Sequence, residues 1–115
     1  MDSESEDQGG REPKGRGPIA NRVLFENERV RIWEMRMPPG EQGPVHEHAL
    51  DHVLIQVSGD RMAVVPESDS QGPFNEYQEA DVEPGQCFFV DRGGIERARN
   101  VGRETYHEII VELKD

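Results

Sequence analysis

Short apolar runs separated by turn residues occupy the chain from about residue 19 onward. These runs, extended to the turns on either side, predict strands at positions 23–25, 30–37, 53–57, 62–65, 77–82, 87–90, 96–100 and 105–113. No stretch keeps an apolar period of about 3.6 residues over three turns, so no helix is predicted. About nine short strands at this spacing indicate an all-β domain, either a sandwich or a barrel.

Two short turns predict local hairpins. Ser58, Gly59 and Asp60 separate the strand at 53–57 from the strand at 62–65, so these two strands are expected to pair. A second Gly-containing turn separates the last two predicted strands, which are likewise expected to form a hairpin.

The first 18 residues differ from the rest of the chain. They consist of Gly, Ser, Pro and charged or amide residues, and Met1 is the only large apolar one. Such a composition cannot bury enough apolar surface to offset chain entropy, so residues 1–18 are expected to be a disordered tail. The sequence therefore predicts one domain over residues 19–115, without a secretory signal or a run of about 20 apolar residues that could cross a membrane.

The single cysteine indicates in which cellular compartment the protein works, and its neighbours indicate a position in the core. One Cys excludes an intramolecular disulfide framework and is typical of a reducing compartment, so a cytoplasmic location is expected. Because Cys87 precedes Phe88 and Phe89, it is predicted to be a small core residue.

Charge limits the partners. The chain has 24 acidic and 13 basic residues, a net charge of -11, and this field disfavours nucleic-acid binding. Lys14 and Lys114 are the only lysines among the basic residues, and the rest are arginine. That balance suits either a protein adapted to concentrated salt or an acidic cytosolic protein from a GC-rich genome, and the sequence leaves both open.

Three of the four histidines lie within seven residues. His46, His48 and His52 have numbers of one parity, so on an extended chain their imidazoles project to the same face, which Leu54 and Gln56 continue. Neutral imidazole is the commonest protein ligand for divalent transition metals. The pattern indicates a metal or ligand site; the alternative is a polar, exposed strand.

These residues carry a resemblance to the cupin superfamily. The first cupin motif is similar to the segment that contains Gly40, His46, His48, His52 and Gly59, with His52 in the usual Glu position. The second motif resembles the segment that contains Gly85, Asp91, Gly93, Glu96 and Asn100, with Asp91 in place of Pro and Glu96 in place of His. Residues 20–115 also resemble small single-domain cupins, some of them labelled β-alanine-degradation proteins.

The resemblance implies a single small β-barrel, a double-stranded jelly roll. It also implies a divalent ion (Fe, Mn, Ni or Zn) held by His46, His48, His52 and Glu96, with His52 and Glu96 exchanged relative to the usual pattern. The competing interpretation is a degenerate site in which Glu96 pairs with a neighbouring Arg. A metal-binding cupin of this size would be a dioxygenase, isomerase or lyase for a small metabolite; the alternative is a non-catalytic cupin that binds a small molecule or uses metal structurally.

Other residues carry weaker expectations. Trp33, Met35 and Met37 share a parity and are predicted to fill the barrel rather than line a pocket. His107 is predicted to be a surface or hydrogen-bonded core histidine. Small cupins are often dimers, so a homodimer is expected, with the strands at 23–25 and 30–37 at its interface.

Overall fold

The computed structural model describes residues 17–71 and 75–114. Nine strands follow one another in this part of the chain: β1 (Arg22–Glu26), β2 (Val30–Met37), β3 (His46–Glu47), β4 (His52–Ser58), β5 (Arg61–Pro66), β6 (Gln78–Asp81), β7 (Cys87–Val90), β8 (Ile95–Asn100) and β9 (Tyr106–Leu113). The described residues contain no helix, and hence none long and apolar enough to span a membrane. The predicted all-β class is confirmed, while the predicted disorder concerns residues that, apart from Gly17 and Pro18, lie outside the described part.

The strands form two antiparallel sheets. The larger has five strands in the order β1-β2-β9-β4-β7, and the smaller has four in the order β3-β8-β5-β6. Strand β9 lies at the centre of the larger sheet and pairs with β2 on one side and β4 on the other. This arrangement is the predicted small barrel, built from two packed sheets.

Both predicted hairpins are wrong. Strands β4 and β5 belong to different sheets, and so do β8 and β9. Both edges of β4 are occupied by β9 and β7, so β5 cannot pair there. Gly59, with a φ of 140°, turns the chain towards the other sheet, and a Cβ there would lie 2.8 Å from Cδ1 of Tyr106. The short turns therefore connect sheets instead of closing hairpins.

The core lies between the two sheets. Met35, Met37, Tyr106 and Ile110 from the larger sheet are buried in it, and Trp33 packs against them. Trp33, Met35 and Met37 thus lie in the barrel interior as predicted, but Met35 and Met37 also line cavities, so the prediction that they do not line a pocket is wrong for these two.

Cys87 is exposed, so its predicted core position is wrong. It lies on β7, an edge strand of the larger sheet, and its pairing partner there is Ile55 of β4. Cross-strand partners share a face. Ile55 in turn pairs with Ile109 of β9. Buried and half-buried positions alternate along β9, and Ile109 is one of the half-buried ones, which lie on the outer face of the sheet. Cys87 therefore lies on the outer face as well.

Candidate metal centre

Two paired strands place three of the predicted ligands together. In the antiparallel pair β3 and β8, His46 lies directly opposite Glu96. The next histidine is fixed by the turn before β8, because the backbone N–H of His48 donates to the Gly94 carbonyl and the N–H of Gly93 donates to the His48 carbonyl. His46, His48 and Glu96 are all buried.

The side chains of these three residues converge. One ligand atom from each lies within 4.8 Å of those of the other two. The Nε2 atoms of His46 and His48 are 3.1 Å apart, and Nε2 of His48 is 3.4 Å from Oε1 of Glu96. Ligand atoms about 2.1 Å from one ion would be about 3.0–3.4 Å apart at angles between about 90° and 110°. The spacing therefore fits two nitrogen ligands and one carboxylate on a single cation.

The second oxygen of Glu96 supports the same interpretation. Oε2 of Glu96 is buried and has no hydrogen-bond partner among the described residues, and the same is true of Nδ1 of His48. A Cβ on Gly94 would lie 3.0 Å from that oxygen, so the glycine leaves room for it. The ion-pair partner of Glu96 is His48, in contrast to the arginine of the degenerate-site alternative. A buried carboxylate oxygen without a donor is costly unless a cation or ligand meets it.

His52 joins the cluster from another strand. It is the first residue of β4, whereas His46 begins β3, so the three histidines do not lie on one continuous strand. The ring of His52 stacks on that of His48, with 4.1 Å between centroids. Its Nδ1–H donates to the Leu50 carbonyl at 3.0 Å, which leaves a lone pair on Nε2. His52 thus lies beside the group of His46, His48 and Glu96, but it is not one of the residues whose ligand atoms all lie within 4.8 Å of one another.

Burial favours the neutral form of His46 and His52. Burial first, and then the neighbouring His48, lower the pKa of His46 to about 4. Burial, followed by the charge of His48, also lowers the pKa of His52. Nδ1 of His46 donates to the Pro44 carbonyl at 3.2 Å, so its Nε2 carries the lone pair. Metal binding requires neutral imidazoles, and His46 meets that requirement well below neutral pH.

A buried carboxyl that the sequence analysis missed lines the same cavity. Glu108 of β9 and the three clustered residues line a cavity of about 100 Å³. The Tyr106 hydroxyl donates to Glu108, and the amide of Gln56 donates to the Tyr106 oxygen at 3.2 Å. Burial raises the pKa of Glu108 to about 7. The barrel therefore holds a carboxyl that can carry a proton near neutral pH beside the candidate ligands.

A second missed carboxylate lies opposite His52 in the sheet. Glu112 pairs with His52 in the register of β4 and β9 and is 2% exposed. Oε1 of Glu112 accepts hydrogen bonds from the Trp33 indole at 2.7 Å and from the Arg31 guanidinium at 3.3 Å. Glu112 is therefore a buried carboxylate whose negative charge is met by an indole and a guanidinium of β2.

His107 lies on the opposite side of β9 from the cluster. It is half-buried, and its ring Nε2 is 2.8 Å from Oε2 of Glu34. The predicted surface role of this histidine is confirmed, and it provides a control residue for the candidate site.

Comparison with known proteins identifies the family. A family model described as auxin binding protein matches residues 3–113. The chain belongs to this family. The tobacco (Nicotiana tabacum) auxin-binding protein T85 is 24% identical to it over 96 residues, 83% of this chain and 51% of the relative. Tobacco auxin-binding protein T92 is 25% identical over 93 residues, 80% of this chain and 49% of the relative. The chain thus spans about half the length of the curated relatives it matches.

Solved structures support the fold assignment. A cupin domain from Bordetella pertussis Tohama I matches this chain with a TM-score of 0.70 and 22% sequence identity. The match covers 89% of this chain and 98% of the Bordetella chain. The polyketide cyclase RemF from Streptomyces resistomycificus matches with a TM-score of 0.58 and 19% sequence identity. That match covers 82% of this chain and 63% of the RemF chain. The predicted membership of the cupin superfamily is confirmed; the likeness to β-alanine-degradation proteins stays a prediction.

Proposed function

We propose that this chain binds a divalent metal ion through His46, His48 and Glu96, and that the ion anchors a small-molecule ligand inside the barrel. The observation that carries the proposal is the convergence of two imidazole nitrogens on a buried carboxylate whose second oxygen has no partner among the described residues. His52 is proposed as a fourth ligand, because its Nε2 lone pair is free of the Leu50 contact and its ring stacks on His48.

The donor set narrows the choice of ion. Imidazole and carboxylate donors suit Fe, Mn, Ni and Zn, whereas Mg and Ca prefer oxygen ligands alone. We expect one of these four transition metals. With His46, His48 and Glu96 alone, each of them keeps a coordination position for a ligand with oxygen donors. With His52 as well, Fe, Mn and Ni keep such positions, and zinc would have to expand from four ligands to five.

The ligand is proposed to be a small organic molecule. The two tobacco relatives carry the name auxin-binding protein, which makes auxin one candidate. The cavity walls are largely apolar, with Leu54, Met62 and Ile110 among them. Such walls suit a ligand with a hydrocarbon part and one polar end that reaches the ion.

A catalytic role is the second candidate, and Glu108 favours it. A carboxyl with a pKa near 7 inside the cavity can donate or accept a proton at neutral pH. A bound ion would polarise a carbonyl or enediolate oxygen. Glu108 would then move a proton on the ligand, with Tyr106 orienting its carboxyl group. Among the enzymatic alternatives, this favours an isomerase or lyase.

Metal analysis tests the proposal directly. Full-length protein purified without a histidine tag is expected to contain close to one equivalent of Fe, Mn, Ni or Zn by mass spectrometry. Exchanging both His46 and His48 for alanine should remove that metal, because two of the three converging donors are lost. Chelation should lower the melting temperature of the wild type, since the metal binds only the folded state.

Single substitutions of Glu96 and of His52 test whether each of these two residues is a metal ligand. Glu96→Gln should weaken metal binding at least about tenfold, since it removes the only carboxylate of the group. His52→Ala tests the fourth ligand, and His107→Ala is the matched control, because His107 lies on the other face of β9. Metal-free protein with an unchanged melting temperature in chelator would overturn the proposal.

An apolar row crosses the outer face of the larger sheet. Five directly paired residues, one from each strand, form it: Phe25, Ile32, Val111, Val53 and Phe89. Phe89 is 62% exposed and Phe25 is 52% exposed. In the described part of the chain no further layer covers this face, whereas the outer face of the smaller sheet carries ion pairs such as Arg61 with Glu79 and Asp81.

We propose that a second copy of this chain covers the outer apolar row. Residues 1–16 contain no large apolar side chain except Met1, so their sequence offers almost no apolar surface that could take the place of a partner. The charges that border the row are paired within the chain, Glu34 with Arg22 and Glu26 with Lys114. Two identical faces can therefore meet about a two-fold axis without opposing unpaired like charges. Five strands about 4.8 Å apart and about 14–27 Å long give a footprint of about 500 Å², the same order as the about 800 Å² that each partner buries in a standard interface.

Light scattering coupled to gel filtration tests the dimer. The wild type is expected to elute at twice the mass of the chain at micromolar concentration. Phe89→Glu should convert it to a folded monomer, because the interface would bury a carboxylate without a partner. Tyr77→Glu, which changes an exposed aromatic residue outside the larger sheet, is the matched control. A monomeric wild type, or an unchanged Phe89→Glu dimer, would contradict the proposal.

The cytoplasmic location remains part of the proposal. It is supported by the single cysteine, which leaves no intramolecular disulfide in this chain.

A further inference from the structure

Two cavities adjoin at the candidate metal centre. The inner cavity, of about 100 Å³, contains His46, His48 and Glu96. The outer cavity, of about 330 Å³, extends towards the end of β2 and the loop at residues 41–44. The residues that line both cavities are Ile19, Met35, His46 and Ala98. These shared residues form the partition between the two cavities.

The segment 17–21, called the strap here, crosses this region and is fixed at both ends. The N–H of Gly17 donates to the Val45 carbonyl at 2.5 Å, and the N–H of Asn21 donates to the Glu34 carbonyl at 3.1 Å. Ala20 of the strap is buried in the core. The strap is therefore held between β2 and the residue before β3, and its middle residues pack against the barrel.

Ile19 is the part of the partition that does not belong to either sheet. Met35 is rooted on β2, His46 is a candidate ligand on β3, and Ala98 offers only a methyl group from β8. Ile19 is partly buried against the core cluster, and its branched side chain comes from the strap. Shortening Ile19 would open the partition without changing a candidate ligand or a strand.

We propose that Ile19 sets the size of the ligand that reaches the metal centre, an inference that rests on the proposed metal site. The inner cavity is smaller than the roughly 150 Å³ that hold benzene in an engineered protein. A ligand that fits within this volume beside the ion is a compact oxygen donor, such as a short-chain carboxylate. Without the Ile19 side chain the two cavities join into a volume within the about 300–1,000 Å³ typical of sites for larger organic ligands.

Calorimetry with two carboxylates of different size tests this inference. Zinc-loaded wild type is expected to bind propionate more tightly than indole-3-acetate. Ile19→Ala should shift the ratio of the two affinities towards indole-3-acetate by at least about tenfold, and Ile19→Val, which keeps most of the packing, should fall between. Leu24→Ala, at an exposed site on β1, is the matched control and should keep the wild-type ratio.

A metal-free measurement separates the two proposals. In the absence of metal, benzene should raise the melting temperature of Ile19→Ala by more than that of the wild type. The outer cavity of about 330 Å³ already accommodates benzene in the wild type, and only the joined cavity adds the apolar space beside the candidate ligands. An unchanged affinity ratio in zinc-loaded Ile19→Ala, or carboxylates that fail to bind any zinc-loaded variant, would overturn the role of Ile19 and leave the metal site standing. Failure to take up zinc would overturn the proposed function, and an equal benzene effect in the wild type and Ile19→Ala would then reject the partition as well.

Discussion

Replacing Asn100 with alanine is expected to destabilise the metal-free protein by about 3 kcal/mol, a large part of the total stability of a domain of this size. Asn100 is 1% exposed, and its side chain makes three hydrogen bonds. Its amide donates to the carbonyls of Met37 at 2.9 Å and Glu104 at 2.8 Å, and its oxygen accepts from the N–H of Gly102 at 2.9 Å. Alanine removes all three bonds and leaves buried backbone groups unpaired.

Urea unfolding at constant pH measures this effect. Asn75→Ala, at an exposed position, is the matched control and should change the free energy of unfolding by less than about 0.5 kcal/mol. A similar small change for Asn100→Ala would show that the bond between Asn100 of the smaller sheet and Met37 of the larger one does not hold the sheets together.

The second large effect is a dependence of stability on pH that comes from Glu108. The pKa of Glu108 is raised from its ordinary 4.5 to about 7, chiefly by burial and to a smaller extent by the negative charge of Glu96. The Tyr106 hydrogen bond and the charge of His48 lower it in part. Because the pKa is higher in the folded state, the stability contributed by Glu108 is fully present below pH 4.5 and is lost as the pH rises through about 7.

Glu108→Gln isolates this contribution. The free energy of unfolding of Glu108→Gln, relative to that of the wild type, should increase by about 3 kcal/mol between pH 4 and pH 8 in metal-free protein. Taking the difference cancels the other titrating groups, which include the buried histidines. Glu104→Gln, at an exposed position, controls for the loss of one carboxylate. A Glu108→Gln difference that stays constant with pH would contradict the prediction.

The strands were predictable because their signals are local. β-branched runs and Gly- or Pro-containing turns placed β2, β4 and β7 within a residue or two of their observed bounds. The pairing of these strands was not predictable from turn length, because β4 is occupied on both edges by strands that are distant in sequence. Short turns predict hairpins only when the strand they follow has a free edge.

The candidate site was predictable in part. The parity of His46, His48 and His52 indicated one face, although the chain changes sheet between β3 and β4. Glu96 came from the resemblance to cupins, because nothing local connects it with His46, its partner across the β3–β8 pair. The four assigned ligands remain a prediction until metal is measured.

Glu108 was missed because β9 has an inverted pattern. Its buried positions include Glu108 and Glu112, while Ile109 and Val111 lie on the outer face. When apolar and charged residues alternate along a strand, the apolar residues ordinarily face the core and the charged residues face the solvent. Here the two carboxyl side chains face the barrel interior, where the Tyr106 hydroxyl and the Trp33 indole donate to them, and the apolar residues face the proposed dimer interface.

The central position of β9 has a consequence for biosynthesis. Strand β2 is made about seventy residues before β9, and both β2 and β4 pair with it. On the ribosome, where chains grow at about 5–20 residues per second, the larger sheet stays incomplete until β9 has emerged. During those seconds the edges of β2 and β4 that pair with β9 lack their partner, and unpaired strand edges of this kind are prone to pair with other chains.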